Sequence, residues 1–479
     1  MVARDLTPFF YPKSVAVVGA GERPGSSGGA VCQNLSISGY GGSIVPVNPK
    51  GGTIFGNDAR TSLRDLDQPA DLAVIVIRPD LIPGAVREAA ETGHKNLLIL
   101  PGGFAEAGAE GEARDAEVRA IAAEAGVTIA GPNCAGIIHL TDESRFGATF
   151  LRDMPPGGGI AFISQSGALA EEAIAAANDR GLALGTVVSV GNAMHLGVED
   201  YLEFLGEQDR CTCVLLYVES IEDPTRFRDI ARRVAAKKPV AMFMAGGTGP
   251  GGPAARAHTG AVINDTETIA AFVADCCAVQ ATSLRRLLLA AKAFGAHPQG
   301  IGKRALILSN SGGPGVICTD RAAREGLDLP PLPSAMAQAM HAELPPEASV
   351  ANPIDLLADA REDRFGLTLD LAITHGPGTY DAILMIHVVP FMVDAGPVID
   401  RLAADVDKSP LPVFHSMMGT LPGKAEWFAA IEAAGVPMFN DVEEMAEAAG
   451  MLAQYPTLKA RAAAAPEGVP TLKGRGAQS

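Results

Sequence analysis

Residues 14–21 read Ser-Val-Ala-Val-Val-Gly-Ala-Gly. An uninterrupted apolar run of this length, stopped by glycines, is the pattern of a strand covered on both faces, which arises in parallel sheets. Comparable runs follow at 43–47, 72–77, 96–100 and 127–130, separated by helix-length segments such as 81–92 and 111–125. Strand and helix therefore alternate, and the first part of the chain is predicted to be a doubly wound α/β domain.

The same alternation is read twice more. Pro155-Pro156-Gly157-Gly158-Gly159 is a linker that neither helix nor strand tolerates. Beyond it, 159–163, 186–190, 213–218 and 240–244 read as buried strands, with 167–178 as a helix. A helical stretch at 283–296 leads to a third set at 304–308, 382–388 and 413–417. The predicted domains are 1–150, 151–296 and 297–458, and the Ala-, Pro- and Gly-rich residues 459–479 are expected to form a mobile tail. At about 150 residues per domain, 479 residues suit three units. No internal repeat of 20 to 50 residues was found in the sequence.

Composition narrows the partners. Lys and Arg total 38 against 55 Asp and Glu, and the net charge of -17 disfavours a polyphosphate backbone, so nucleic acid is not expected. Seven cysteines without a CxxC pair fit a reducing cytoplasm better than a disulfide framework. Neither a signal peptide nor a membrane span is read.

Gly19, Gly21 and Gly25 follow the first strand, where backbone amides and a helix N-terminus can receive a phosphate. The spacing is GxGxxxG with Pro24 inserted, unlike the dinucleotide fingerprint. Val47-Asn48-Pro49-Lys50 places an ammonium where an NAD site offers an acid. A nicotinamide oxidoreductase is disfavoured on both counts. Ser164-Gln165-Ser166-Gly167 makes a second strand-to-helix turn suited to an anion, although a serine there also serves as an ordinary helix cap. The breaker-rich residues 246–253 then lead to His258. A neutral imidazole nitrogen is a competent nucleophile toward phosphorus if a carboxylate fixes its tautomer. Glu219, directly after the 213–218 run, is the candidate carboxylate.

Taken in order, these segments together with Gly131-Pro132-Asn133-Cys134, His258-Thr259-Gly260-Ala261, Asn310-Ser311-Gly312-Gly313 and Asn352-Pro353 resemble the NDP-forming (ADP-forming) acyl-CoA synthetase superfamily. That superfamily includes ADP-forming acetyl-CoA synthetase and the succinyl-CoA synthetase α subunit. The resemblance implies an α/β protein with an N-terminal Rossmann-like CoA-binding domain followed by two flavodoxin-like ligase domains. It implies an α-type subunit of an acid–CoA ligase working through an acyl phosphate and a phosphohistidine. His258 would carry the phosphoryl group, Glu219 would orient it, and Ser164, Gln165, Ser166 and Gly167 would cradle phosphate. Gly19, Gly21, Gly25, Ser26, Val47, Lys50, Asn133 and Cys134 would hold CoA, with no nucleophilic role for Cys134. No ATP-grasp segment is recognisable, so ATP or ADP and magnesium would sit on a separate ATP-grasp β subunit, giving a cytoplasmic hetero-oligomer. Met244, Gly247 and Ala257 depart from the family's usual loop, and the alternative is a catalytically inactive CoA-binding or regulatory protein on the same scaffold. Residues 192–197 also depart from the family's acidic form, and the sequence does not name the acid.

Overall fold

The structure, a computed structural model, describes residues 4–251, 265–419 and 421–464. It divides into two compact units, the first running to Thr282 and joined again by the described residues from Arg461, the second covering Ser283–Ala460.

The first unit holds two sheets. In one, five parallel strands run in the order Ser43–Val47, Ser14–Val18, Leu72–Ile75, Asn96–Ile99, Thr128–Ala130. Val15, Ala16, Val17 and every residue of Leu72–Ile75 are fully buried, as the apolar runs require of strands covered by helices on both sides. The helix Ile82–Glu91 turns Ile82, Val86 and Ala89 inward, and Ala109–Ala125 stops where Gly126 takes a left-handed φ of 63°.

The second sheet has seven strands, in the order Val279–Gln280, Val240–Met244, Cys213–Val218, Ile160–Ser164, Leu184–Ser189, Gly136–Leu140, Arg145–Thr149. The first five are parallel and the last two join antiparallel. Thus 136–149, on the N-terminal side of the Pro-Gly linker, pair with the second sheet. The linker itself is tied down, with Gly157 N–H donating to Leu184 O and Gly158 N–H to Leu140 O. A breaker-rich segment marks the end of an element, and sheet membership is decided by pairing partners distant in sequence.

The second unit is built on a third parallel sheet, Ile354–Asp355, Ala305–Ser309, Ala382–Val388, Val413–Met418, Met438–Phe439. Its core gathers Leu306, Leu308, Phe365, Leu369, Met385 and Leu402, all essentially without exposure. Helix Leu284–Ala296 is capped by Ser283 and occupies the stretch read as helical. Helix Val442–Ala463 continues through 459–463, which the sequence reading placed in the tail. Alanines, lysine and arginine are strong helix formers, so the element persists until Ala463. Residues 465–479 lie outside the described residues. Among the described residues no helix is long and apolar enough to cross a membrane.

In all three sheets the five parallel strands taken in chain order lie 2-1-3-4-5. The order reverses between the first and third, and ligands of open α/β sheets bind in the crevice beyond that point. Two of the three switch points fall at the segments that form the candidate site.

Candidate functional site

At the first switch point the Gly-rich turn packs backbone on backbone. Gly19 adopts φ +96° and donates its N–H to Val47 O at 3.0 Å, and a Cβ at this position would lie 2.3 Å from Val76 O. Gly28, in the first turn of helix Ser27–Ile37, approaches just as closely, since a Cβ there would meet Gly19 O at 2.1 Å. Ser26 caps the helix by accepting from Gly29 N–H at 3.3 Å. The N–H groups of Ser27 and Gly28 have no intrahelical acceptor, and the helix dipole favours an anion before them.

These groups open onto a cavity of about 790 Å³ that is lined at one end by Gly19, Arg23, Gly25, Ser26, Ser27, Gly28 and Arg78. Its other end is lined by Asn133, Cys134, Ala135, Phe150, Leu151, Gly167, Ala168 and Glu171. Five of the eight residues proposed for CoA therefore share one cavity. Gly21, Val47 and Lys50 do not line it: Gly21 O and Val47 O accept bonds within the turn, and Lys50 is exposed beyond Asn48. Sequence reasoning missed Arg23 and Arg78. Arg23 stands inside the Gly-rich turn, and Arg78 follows the third strand with Asp80 at 3.2 Å. A guanidinium within three residues of the end of a switch-point strand was the available signal for Arg78.

Asn133 takes φ +59° and donates to Asn192 Oδ1 at 3.2 Å; Asn192 in turn donates to Glu106. Burial works against the charge of Glu106, yet hydrogen bonds from Asn192 and the Gly103 and Phe104 N–H groups hold its carboxyl below the usual range. Arg119 donates to Met194 O, and the Met194 side chain is buried in the core of the first sheet. Residues 192–194 therefore staple the two layers of this unit together. Cys134 is 4% exposed, and burial pushes its thiol up to about 12, which disfavours the reactive thiolate at neutral pH.

At the second switch point the Ile160–Ser164 strand leads into helix Gly167–Arg180. Ser164 was expected to offer its hydroxyl to phosphate. Instead it is fully buried, donating to Ser166 O at 2.7 Å and accepting from Ser166 N–H at 3.1 Å. Ser166 caps Leu169 N–H at 3.4 Å. Gln165 is also committed elsewhere: its Oε1 accepts from Glu219 N–H at 2.6 Å and Ser220 N–H at 3.0 Å, and its Nε2 donates to Ser220 O at 3.0 Å. The anion-binding capacity lies in the backbone N–H groups of Gly167 and Ala168, at the first two helical positions and on the cavity wall.

Glu219 follows the Cys213–Val218 strand at this same switch point, as its sequence position requires. Burial first, then the nearby Glu219 carboxylate, raises the Tyr217 phenol above its ordinary value. His258 lies outside the described residues, with the rest of 252–264. The flanks of that segment are tied together by Thr266 Oγ1 donating to Gly247 O at 2.7 Å. They emerge beside the Val240–Met244 strand, which pairs with the strand that presents Glu219.

Two family descriptions match this chain: a CoA binding domain over residues 13–140 and a succinyl-CoA ligase-like flavodoxin domain over 157–294. The α subunit of acetate–CoA ligase (ADP-forming) II from Pyrococcus furiosus is 32% identical over 454 residues, covering 94% of this chain and 97% of its own. The chain belongs to the ADP-forming acyl-CoA ligase family. Acetate–CoA ligase (ADP-forming) I from Archaeoglobus fulgidus is also 32% identical, over 94% of this chain, which spans 64% of that longer protein. A solved structure, the Ca. Korarchaeum cryptofilum dinucleotide-forming acetyl-coenzyme A synthetase 1 in complex with phosphate and ADP, superposes with a TM-score of 0.89 at 28% identity. That match covers 95% of this chain and 98% of the other. In length and domain order this chain thus corresponds to the α-type subunit of an ADP-forming ligase, and the family is one of enzymes.

Proposed function

We propose that this chain positions CoA, an acyl group and phosphate and passes a phosphoryl group through His258 to ADP on a separate ATP-grasp subunit. In the direction of ATP synthesis, a phosphate oxygen attacks the thioester carbonyl, the C–S bond breaks, and CoA leaves as its thiol after taking a proton. An imidazole nitrogen of His258 then attacks phosphorus, and the P–O bond to the acyl oxygen breaks to release the carboxylate. Transfer to ADP regenerates the histidine.

The residues of this chain supply three things to that sequence. Arg23 and the N–H groups of Ser27 and Gly28 hold phosphates of CoA. The N–H groups of Gly167 and Ala168 meet the charge on the transferring phosphate, where the helix dipole contributes about 0.3–1 kcal/mol in addition to the charge-assisted hydrogen bonds. Glu219 accepts a hydrogen bond from the second imidazole nitrogen, whose proton stays on the ring, and so fixes the tautomer. Magnesium belongs with the nucleotide on the partner, and no step on this chain is routed through it.

The observation that carries the reading is the single cavity running from the Gly19–Gly28 turn to the Gly167–Ala168 helix start. A thioester and a phosphate that react with one another need one continuous space. The test is a coupled assay of the chain with its ATP-grasp partner, ATP, CoA and a panel of carboxylic acids. ATP consumption dependent on both CoA and one or more acids supports it. CoA binding without turnover on any acid would establish the inactive scaffold in its place.

A further inference from the structure

The Gln165 carboxamide makes three hydrogen bonds to the backbone of Glu219 and Ser220, 54 and 55 residues away. It does so where the first and third strands of the second sheet part company. There the chain leaving Cys213–Val218 runs out of ladder partners, and its next two N–H groups need acceptors. Gln165 Oε1 receives both, and Nε2 returns a bond to Ser220 O, so the side chain adds one more rung beyond the last backbone pair. A primary amide is the one side-chain group of this length that accepts twice and donates once in this way.

The second unit contains the same device. Asn310 sits between Ser309 and Ser311 as Gln165 sits between Ser164 and Ser166. Ser309 Oγ donates to Ser311 O at 2.8 Å and accepts from Ser311 N–H at 3.0 Å. Asn310 then exchanges two bonds with Val388 at the end of the neighbouring strand: its Nδ2 donates to Val388 O at 2.7 Å, and its Oδ1 accepts from Val388 N–H at 2.8 Å. The arrangement recurs at equivalent switch points of two sheets with different amides. It is therefore a built feature of these turns.

We infer that Gln165 is the positioning residue for Glu219. The clamp fixes the backbone from which the carboxylate projects, and so sets the direction in which Glu219 presents it to an imidazole. This rests on the reading in which Glu219 orients His258. It moves Gln165 from the phosphate ligands to the support of the carboxylate.

The experiment measures the rate of phosphoryl uptake from γ-labelled ATP by the full chain with its ATP-grasp partner, across pH, for wild type, Gln165→Met and Gln165→Glu. Gln165→Met removes all three bonds and is expected to slow uptake at least about tenfold. CoA affinity should stay unchanged, because Gln165 does not line the CoA cavity. Gln165→Glu keeps both acceptor bonds, loses the donor and sets a second carboxylate beside Glu219. Its acid limb should shift to higher pH, since a like charge makes Glu219 harder to ionise. A merely structural role would lower the melting temperature without moving that limb. Hydrogen exchange at the Glu219 and Ser220 amides should quicken in Gln165→Met, and if that variant does not fold, Gln165→Glu decides. Uptake by Gln165→Met at the wild-type rate, or superimposable pH profiles for Gln165→Glu and wild type, overturns the inference alone. A wild type that takes up no label overturns the functional reading and this inference with it.

Discussion

Replacing Glu447 by glutamine perturbs the second unit at its most concentrated charge. Its side chain is 3% exposed and receives Arg285 Nη2 at 2.8 Å, Arg286 Nη1 at 3.2 Å and Arg321 Nη2 at 2.8 Å. Glu325 shares Arg286 and Arg321, and Glu444 lies 3.6 Å from Arg285. Three arginines thus balance three glutamates. Glutamine in place of Glu447 would keep the volume but leave the cluster with one excess buried positive charge. Removing one partner of a buried ion pair costs roughly 3–5 kcal/mol, and because Arg285 keeps some contact with water the lower end, about 3 kcal/mol, is expected. The protein has one tryptophan, Trp427, which packs against the core of this same unit, so its fluorescence reports on residues 283–460 alone. With a urea slope near 2 kcal/mol/M for a unit of this size, the midpoint should fall by about 1.5 M. A fall of less than about 0.5 M would show that the cluster is no more than a set of exposed pairs, and the reasoning would fail.

The Trp427 signal also reads a pH dependence. His387 and His415 stack at 6.0 Å with ring planes 8° apart in the interior of that unit. Burial pushes His387 down to about 4, and burial with the neighbouring His387 pushes His415 down to about 3, from 6.5. Below about pH 6.5 the unfolded chain binds protons that the folded one refuses. Stability is therefore complete above that value and declines toward about pH 4 by up to about 1.4 kcal/mol per pH unit for each histidine. Urea midpoints at about pH 7 and about pH 5 for wild type and His415→Leu check this, and equal slopes would refute it. Arg23→Ala should weaken CoA binding about tenfold or more, as loss of a charge-assisted bond predicts, and should reduce its salt sensitivity in calorimetric titration. Gly28→Ala places a methyl against Gly19 O, which cannot yield without moving the turn, so CoA binding should be lost with a lowered melting temperature. A Gly28→Ala protein that binds CoA normally would show that the close approach is unnecessary.

Much of the fold was legible because central parallel strands leave a strong trace. Val15–Val17 and Leu72–Ile75 are apolar without alternation because both faces are covered. The hairpin at 136–149 left a weaker one, since edge strands pair by distant register. The second sheet also begins before the linker that marked its start in the sequence. At the site, the positions of Gly19, Gly25 and Glu219 at switch points were readable, because a strand end is a local property, whereas Gly21 turned out not to line the cavity. The fates of Ser164 and Gln165 were not readable. A serine or an amide beside a helix start serves an anion or the backbone equally well, and for Gln165 the partners that decide, Glu219 and Ser220, are 54 and 55 residues away. The Ser164–Gly167 and Ser309–Gly312 turns repeat one another over four residues only, too short to stand out as an internal repeat.

The central claim, that this chain carries phosphorus on His258, is tested most directly by incubating it with its ATP-grasp partner and γ-labelled ATP and following label on the separated chain. Base-stable, acid-labile label that is present on wild type and absent from His258→Ala is the predicted result. Equal labelling of the two proteins, or label that survives acid and is lost in base, would contradict it.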